Sequence, residues 1–517
     1  MSHSSIYKGR KVVVLGMARS GFSVANALAG MGAEVVVNDL KERHLCPEAD
    51  ELEQAGITVI CGHHPDDLID SDTSLLVKNP GIPYSAPPVK RAQELGVDIV
   101  TEVEIASQLS SIPIIGITGS NGKTTTTSMI GHLLQSAGVS NIVAGNIGVP
   151  LCDVAAVSEN NEWKWIVAEL SSFQLKGTVS FKPKVALLLN VAETHLDYHG
   201  DMEDYVASKL KLFANQDDDD FAVLNWDDPF CRKAAEGLKS RLLPFSLYER
   251  LPAGVYIEPP YEKGVVPGKS GQEEPERHIV YRAHASAGVM AASPGAGLGE
   301  GGLIADTAAE AVAEAVAEAA TGAEPVVVAA VSELGVPGIH NTANAMAAAA
   351  ACLAAGVAPE LLAEPLRTFK AVEHRLEYVC EKQGVEYYND SKATNPTATT
   401  MSVQSLKKPV VLIAGGLDRG SDYMELLPLF RGLKGLVALG QTRAKLENIA
   451  GLAGLTAVKT VNDEGDAESA LREAVKLAAS MAEPGDIVLL SPACASWDMF
   501  KSYEQRGIIF KQSAHTL

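Results

Sequence analysis

The sequence predicts an α/β protein of three domains: a Rossmann-like domain over 1–107, a central domain with a parallel sheet around a phosphate loop over 108–370, and a second Rossmann-like domain over 371–517. Three observations predict it. Near-continuous apolar runs alternate with helix-length stretches, as expected for strands buried on both faces by crossover helices. A glycine-rich loop, "TGSNGKTTT" from Thr118, sits between one such run and a helix. The length of 517 residues exceeds what one core supports, since domains hold roughly 100–200 residues.

In the first segment the strand "KVVVLG", the turn "MARSG", a helix through Ala29 and the strand "AEVVVND" make a doubly wound unit. Asp39 ends the second strand, where a ribose hydroxyl would be bound. The glycines Gly16 and Gly21 are spaced G-x-x-x-x-G rather than G-x-G-x-x-G, which argues against a nicotinamide dinucleotide and leaves a phosphate-bearing ligand of another kind open. The central segment starts at Ile112 and continues with "KWIVAEL", "KVALLLNV" and "DDFAVLNWDD". The third, from about Ala371, carries "VEYYND", "PVVLIAGG", "GLVALG", "LTAVKTV" and "GDIVLLSPA" as strands. Between them, about 252–331, a Pro/Gly/Glu-rich stretch and the repeat "AEAVAEAVAEAA" read as an insertion without chemistry. Glu310, Glu314 and Glu318 repel each other mildly along one solvated helix face.

Lys+Arg 43 against Asp+Glu 64 gives a net charge of −21, so no basic face for nucleic acid or an anionic membrane is expected. Anionic ligands must be held by a few local cations, metal ions or helix N-termini. Seven cysteines without a CxxC pair suit a reducing cytoplasm rather than a disulfide framework. The N-terminal apolar run is a first strand rather than a signal peptide, and "AMAAAAACLAAGVA" is too short to span a bilayer. A soluble monomer is expected.

The general phosphate-loop pattern G-x-x-x-x-G-K-[ST] fails here, because Ile117 stands where its first glycine belongs. The roles survive the altered spacing. The loop Thr118-Gly119-Ser120-Asn121-Gly122-Lys123-Thr124 is followed by a helix whose N-terminal amides point at it, Lys123 can neutralise β- and γ-phosphates, and the Thr124 hydroxyl can sit on magnesium. No Asn-Lys-x-Asp base-reading motif marks a GTPase; "NDSK" has another order. Glu169 ends a strand predicted beside the loop strand, in reach of a metal shared with Thr124. "ETHLDYH" gathers Glu193, His195, Asp197 and His199 at the same edge, a set suited to metal and carboxylate work of which only some can be ligands. Lys209 follows Tyr205 by four residues on the inner face of the next helix. A lysine beside a magnesium site is electrostatically wrong unless it is modified or bound to anions.

With these residues in place the chain closely resembles the Mur ligase family, ATP-dependent amide-forming ligases of bacterial cell-wall synthesis built of three α/β domains. "TGSNGKTTT" is similar to the family's variant loop, and "NVAETHLDYHG…YVASK" to its histidine followed by a carbamylated lysine. The resemblance implies ATP and two Mg2+ as cofactors, with Lys123, His195 and Lys209 catalytic, and Thr124, Glu169, His195 and carbamylated Lys209 as metal ligands. Thr125, Asn341 and Asn344 of "GIHNTANAM", Arg375 of "EHRLE" and Asp390 join the nucleotide residues, with His340 and His374 beside them where the third domain closes over ATP.

"ELSSFQL", "NDSKATNP" and "LLSPACASWDMFKSYEQRG" resemble the branch that adds D-glutamate to UDP-N-acetylmuramoyl-L-alanine. By the same resemblance Arg19, Ser20, Asp39, Asn79, Gly81 and Asn146 hold the UDP-sugar, and Lys392, Thr394, Arg419, Ser496 and Tyr503 bind D-glutamate or ATP. Arg419 and Tyr503 depart from a common form of the family, which has lysine and phenylalanine there; a guanidinium still clamps a carboxylate bidentately. Two rival readings are a ligase like folylpolyglutamate synthase and a nucleotide-binding protein without chemistry. The first lacks a UDP-binding domain, and the second has no use for a lysine at the second metal.

Overall fold

Each of the three segments folds around one sheet in the computed structural model, which describes residues 6–158, 161–194, 196–264, 275–283, 324–370, 372–406, 408–418, 420–461 and 466–517. The first sheet holds β1 (Lys11–Leu15), β2 (Glu34–Asp39), β3 (Thr58–Cys61), β4 (Thr73–Lys78) and β5 (Asp98–Val100) in the order β3-β2-β1-β4-β5. All its pairs are parallel. Valine-rich strands such as "KVVVL" and "EVVVND" suit such a sheet because helices cover both faces. The order reverses between β1 and β4, and a ligand crevice forms at the carboxyl ends beside such a switch point. The turn at Gly16, Asp39 and the loop at Asn79 all lie at those ends.

The second sheet contains β6 (Ile114–Thr118), β7 (Asn141–Gly145), β8 (Trp165–Glu169), β9 (Val185–Leu188), β10 (Phe221–Asn225), β11 (Arg241–Ser246), β12 (Gly254–Glu258), β13 (His278–Arg282) and β14 (Val326–Ala330). The order is β14-β13-β12-β11-β10-β9-β6-β8-β7. It is parallel up to β12 and antiparallel for β12–β13 and β13–β14. The loop strand β6 therefore lies between β8 and β9, as expected for Glu169 and the "ETH" segment.

The expected insertion at about 252–331 is narrower than its composition suggests. "GVYIE", "HIVYR" and "VVVAA" within that range are strands that extend the sheet. Their short apolar runs were masked by the Pro/Gly/Glu-rich sequence around them. Glu310, Glu314 and Glu318 lie outside the described residues.

The third sheet comprises β15 (Glu377–Lys382), β16 (Val385–Asn389), β17 (Val410–Ala414), β18 (Gly435–Ala438), β19 (Val458–Thr460) and β20 (Ile487–Leu490), in the order β15-β16-β20-β17-β18-β19. Only the β15–β16 pair is antiparallel.

By contact, the first two sheets form one compact unit, and the third sheet with Glu333–Thr342 forms another. The first two sheets share one apolar cluster, running from Val12 and Leu28 to Leu188 and Leu224. Polar pins join them as well. Glu104, early in the helix Glu102–Leu109, accepts from the backbone amides of Val179 (2.8 Å), Ser180 and Phe181. Burial pushes its carboxyl up, but these donors win and hold it below the usual range. Among the described residues no helix is long and apolar enough to cross a membrane.

Candidate active site

The phosphate loop begins where β6, buried along its whole length, runs out at Thr118. Gly122 has φ +85° and precedes the helix Lys123–Ser136. A β-carbon there would run into Asn344 Oδ1, so both backbone and space require glycine. The loop is braced from β9. Ser120 N donates to Asn190 O (3.0 Å) and Asn121 N to Asn190 Oδ1 (2.8 Å), while Asn190 Nδ2 returns a bond to Asn121 O. Ser120 Oγ meets the Tyr205 hydroxyl at 2.9 Å, and Thr126 Oγ1 donates to Asn344 Oδ1 at 3.3 Å. Asn344 is thus placed against the loop helix, while Asn341, a turn earlier, donates to Pro337 O.

Two lysines converge on one carbonyl. Lys123 Nζ donates to Gly119 O at 2.7 Å, and Lys209 Nζ donates to the same oxygen at 2.9 Å. Lys209 is 1% exposed and lies over the Tyr205 ring. Burial, then the neighbouring Lys123 charge, holds its amine well below the usual lysine range. Both causes disfavour the charged ammonium at this position.

Glu169 ends β8 in register with Ile117 of β6 and is 1% exposed. Asn146 Nδ2 donates to its Oε1 at 2.8 Å, whereas its Oε2 is buried without a hydrogen-bond partner. An unpaired carboxylate oxygen is costly to bury, and a hard divalent cation would satisfy it. Carboxylate and hydroxyl oxygens, here Glu169 and Thr124, are the donors magnesium takes. The residues fit the metal.

His195 lies outside the described residues, and so does Arg419. Of the remaining "ETHLDYH" residues, Glu193 is exposed. His199 is engaged elsewhere: Nε2 bonds Ser172 Oγ at 2.9 Å and Nδ1 bonds Asp204 Oδ2 at 2.7 Å. It is a structural histidine rather than a metal ligand.

At the first sheet, Asp39 Oδ2 accepts from Met17 N at 2.7 Å and Oδ1 from Lys41 N at 2.9 Å, which fixes the turn ahead of Arg19 and Ser20. Asn79 Nδ2 donates to Ser20 Oγ, and its Oδ1 accepts from Gly81 N. Arg19, Ser20, Asp39, Asn79 and Gly81 therefore gather at one sheet edge. Asn146 is on the second sheet, with its amide committed to Glu169.

In the other compact unit a second cluster forms at the carboxyl ends of β16, β17 and β20. Asp390 is buried; its Oδ2 accepts from Ser491 Oγ at 2.6 Å and its Oδ1 from Leu376 N. Burial pushes its carboxyl up to about 6. Lys392 Nζ lies 5.2 Å from the centre of the Tyr503 ring. Ser496 is buried, Thr394 is exposed, and His374 and Leu376, flanking Arg375, adopt positive φ (64° and 45°).

A phosphate loop, a buried acid with an unpaired oxygen and a second doubly wound sheet carrying ionic residues define an enzyme that uses a nucleoside triphosphate. The Mur ligase MurD-like N-terminal domain matches residues 10–101, the Mur ligase middle domain 117–256, and the Mur ligase glutamate ligase domain 374–494. The chain belongs to the Mur ligase family. It is 40% identical to the UDP-N-acetylmuramoylalanine--D-glutamate ligase of Geobacillus kaustophilus over all of both chains. It is 39% identical to that of Listeria monocytogenes serotype 4b, over 98% of this chain and 96% of the other. Among solved structures, UDP-N-acetylmuramate-alanine ligase MurC of Thermotoga maritima shares the fold at TM-score 0.54 and 16% identity, covering 98% and 99% of the two chains. MurF of the same organism in complex with ADP does so at 0.52 and 16%, covering 100% and 97%.

Proposed function

We infer that this chain is an ATP-dependent ligase that joins D-glutamate to UDP-N-acetylmuramoyl-L-alanine in peptidoglycan precursor synthesis. Its end-to-end likeness to chains bearing that name supports the two substrates. The observation that carries the chemistry is the Lys209 amine, buried on the same carbonyl as the phosphate-loop lysine.

A carboxylate is a poor electrophile, so it must be activated before an amine can attack. The alanyl carboxylate takes the γ-phosphoryl group of ATP, giving an acyl phosphate and ADP. The D-glutamate amine then attacks, and phosphate leaves. Amides of Gly119 to Thr125 cradle the phosphates, Lys123 offsets charge on the transferring group, and Asn341, Asn344, Arg375 and Asp390 complete the nucleotide set. Thr124 and Glu169 would hold one magnesium, and His195 with carbamylated Lys209 a second. Bound there, the metal supplies charge neutralisation at the phosphate oxygens. Arg19, Ser20, Asp39, Asn79, Gly81 and Asn146 receive the UDP-sugar; Lys392, Thr394, Arg419, Ser496 and Tyr503 receive D-glutamate.

In this reading the enzyme works as a cytoplasmic monomer with domains over 1–107, 108–370 and 371–517. The test is phosphate release and product mass with ATP, magnesium and UDP-N-acetylmuramoyl-L-alanine, given D-glutamate, L-glutamate or neither. Release that needs D-glutamate, with the mass raised by one glutamyl residue, is expected. ATP binding without release under any of these conditions would overturn it.

A further inference from the structure

We propose that Arg506 is the positioning residue of the D-glutamate pocket, its guanidinium tying together the chain segments that carry the amino-acid-binding residues. The proposal rests on the function inferred above.

Arg506 lies near the start of the helix Tyr503–His515 and is 1% exposed, among the largest fully buried side chains. Its Nε donates to Ser391 Oγ at 3.0 Å, and Nη2 donates to Ser391 O at 2.9 Å and Cys494 O at 3.2 Å. Ser391 Oγ in turn donates to Tyr503 O at 2.8 Å. On a further side, a β-carbon on Gly416 would stand 3.3 Å from Nη1, so the guanidinium packs beneath that glycine.

Each segment it touches carries part of the site. Ser391 stands between Asp390 and Lys392, Cys494 is two residues before Ser496, Gly416 is three before Arg419, and Tyr503 opens the helix. Three of these segments leave the carboxyl ends of the neighbouring strands β16, β17 and β20, the edge at which open α/β sheets bind ligands.

The choice of residue is informative. Among the described residues no direct ion pair compensates the buried charge; Asp498 and Asp390 act on it only at longer range. An apolar side chain of similar volume fills such a site at lower desolvation cost. The planar guanidinium reaches its hydroxyl and two carbonyls from two separate nitrogens, Nε and Nη2, held at a fixed spacing. The three donors of a lysine all radiate from one nitrogen, so acceptors spaced for the fork are not met with the same geometry. Burial lowers the guanidinium to about 10, so it stays charged at neutral pH.

The test compares the wild-type full-length enzyme with Arg506→Lys and Arg506→Ala, measuring KM for ATP, UDP-N-acetylmuramoyl-L-alanine and D-glutamate, together with thermal midpoints. For Arg506→Lys we expect KM for D-glutamate to rise about tenfold or more while the other two stay within about threefold. Arg506→Ala should regain activity saturably with millimolar guanidinium, which refills the missing fork. Unchanged constants in a folded Arg506→Lys enzyme would overturn the proposal. So would a parallel rise of all three KM values that tracks a fall in the thermal midpoint, with no guanidinium rescue. A wild-type enzyme releasing no phosphate in response to D-glutamate would overturn the acceptor assignment first, and this proposal with it.

Discussion

Asn146 holds one oxygen of Glu169 at 2.8 Å and leaves the other buried without a partner. That asymmetry orients the carboxylate and keeps a lone pair for a cation. Magnesium with ATP should therefore raise the thermal midpoint of the wild type, and Glu169→Gln should remove the magnesium-dependent part of that rise. Asn146→Ala, which frees the carboxylate to turn, should weaken magnesium activation by about 10–100-fold, the usual cost of losing a partner that orients a metal ligand. Equal magnesium dependence in wild type and both variants would refute the metal assignment.

Gly122 permits no side chain. Its φ of +85° and the approach of Asn344 Oδ1 mean that Gly122→Ala must strain the loop or expel Asn344 from the loop helix. Backbone strain of this kind costs on the order of 1–3 kcal/mol. Nucleotide affinity should collapse while the far-UV spectrum stays that of the wild type. Calorimetric titration with ATP checks it, and wild-type affinity would contradict the geometry.

Glu104 gives a complementary prediction about stability alone. Its carboxylate satisfies amides of Val179, Ser180 and Phe181, far from the phosphate loop. Glu104→Ala leaves those donors bare and should cost roughly 2–3 kcal/mol, the scale of buried groups left unbonded. Because its folded pKa is depressed, its contribution is present above the usual glutamate range and disappears as the pH falls through the folded value. Urea unfolding at pH 7 and pH 4 should show the variant's deficit shrinking at the lower pH.

What was legible in the sequence shares one property: the chemistry is written in contiguous residues or at the end of a recognisable strand. The loop from Gly119 to Thr124 and the acid at Glu169 are of this kind. Asn190 was not legible, because its grip on Ser120 and Asn121 depends on β9 pairing beside β6 across 69 positions. Asn146 offered a motif-like "GNIG", yet its bond to Glu169 follows from the pairing of β7 with β8. Arg506 lies inside the stretch "LLSPACASWDMFKSYEQRG", but Ser391 and Gly416, which it meets, come from two other segments. The strands β13 and β14 escaped because "HIVYR" and "VVVAA" are too short to stand out beside low-complexity sequence.

Lys78 makes a testable electrostatic case. It ends β4 fully buried, donating to Tyr198 OH at 3.0 Å and lying over the Tyr84 ring. Burial, then the charge of Lys176, lowers its amine to about 7 from 10.5. Between those values the unfolded chain binds a proton that the folded one does not, so stability rises with pH across the window. The burial penalty is fully present below the folded value and relieved towards the unfolded one. In Lys78→Met the slope of unfolding free energy against pH between pH 7 and 10 should fall by up to about 1.4 kcal/mol per pH unit. Identical slopes would mean that Lys78 is solvated and normal.

Lys209 is the sharpest point at which chemistry depends on burial. A charged ammonium has no lone pair, so carbamylation, in which the amine adds carbon dioxide and releases a proton, needs the neutral form. Burial and the adjacent Lys123 favour that form at Lys209, while its bond to Gly119 O holds it at the phosphate loop. The reaction converts the neutral amine into a carbamate whose carboxylate can face a metal. Lys209→Ala should therefore lose activity by about 100-fold or more, the scale of removing an electrostatic stabiliser of the transition state. Acetate or formate should restore part of it by occupying the vacated volume with a carboxylate. Lys209→Arg, always charged and unable to form the carbamate, should be inactive and beyond rescue. In the wild type, 13C-labelled bicarbonate should produce a carbamate resonance that is missing from both variants. Full activity of Lys209→Ala in buffer free of carboxylic acids would sink the assignment and leave the buried lysine as a structural donor to Gly119.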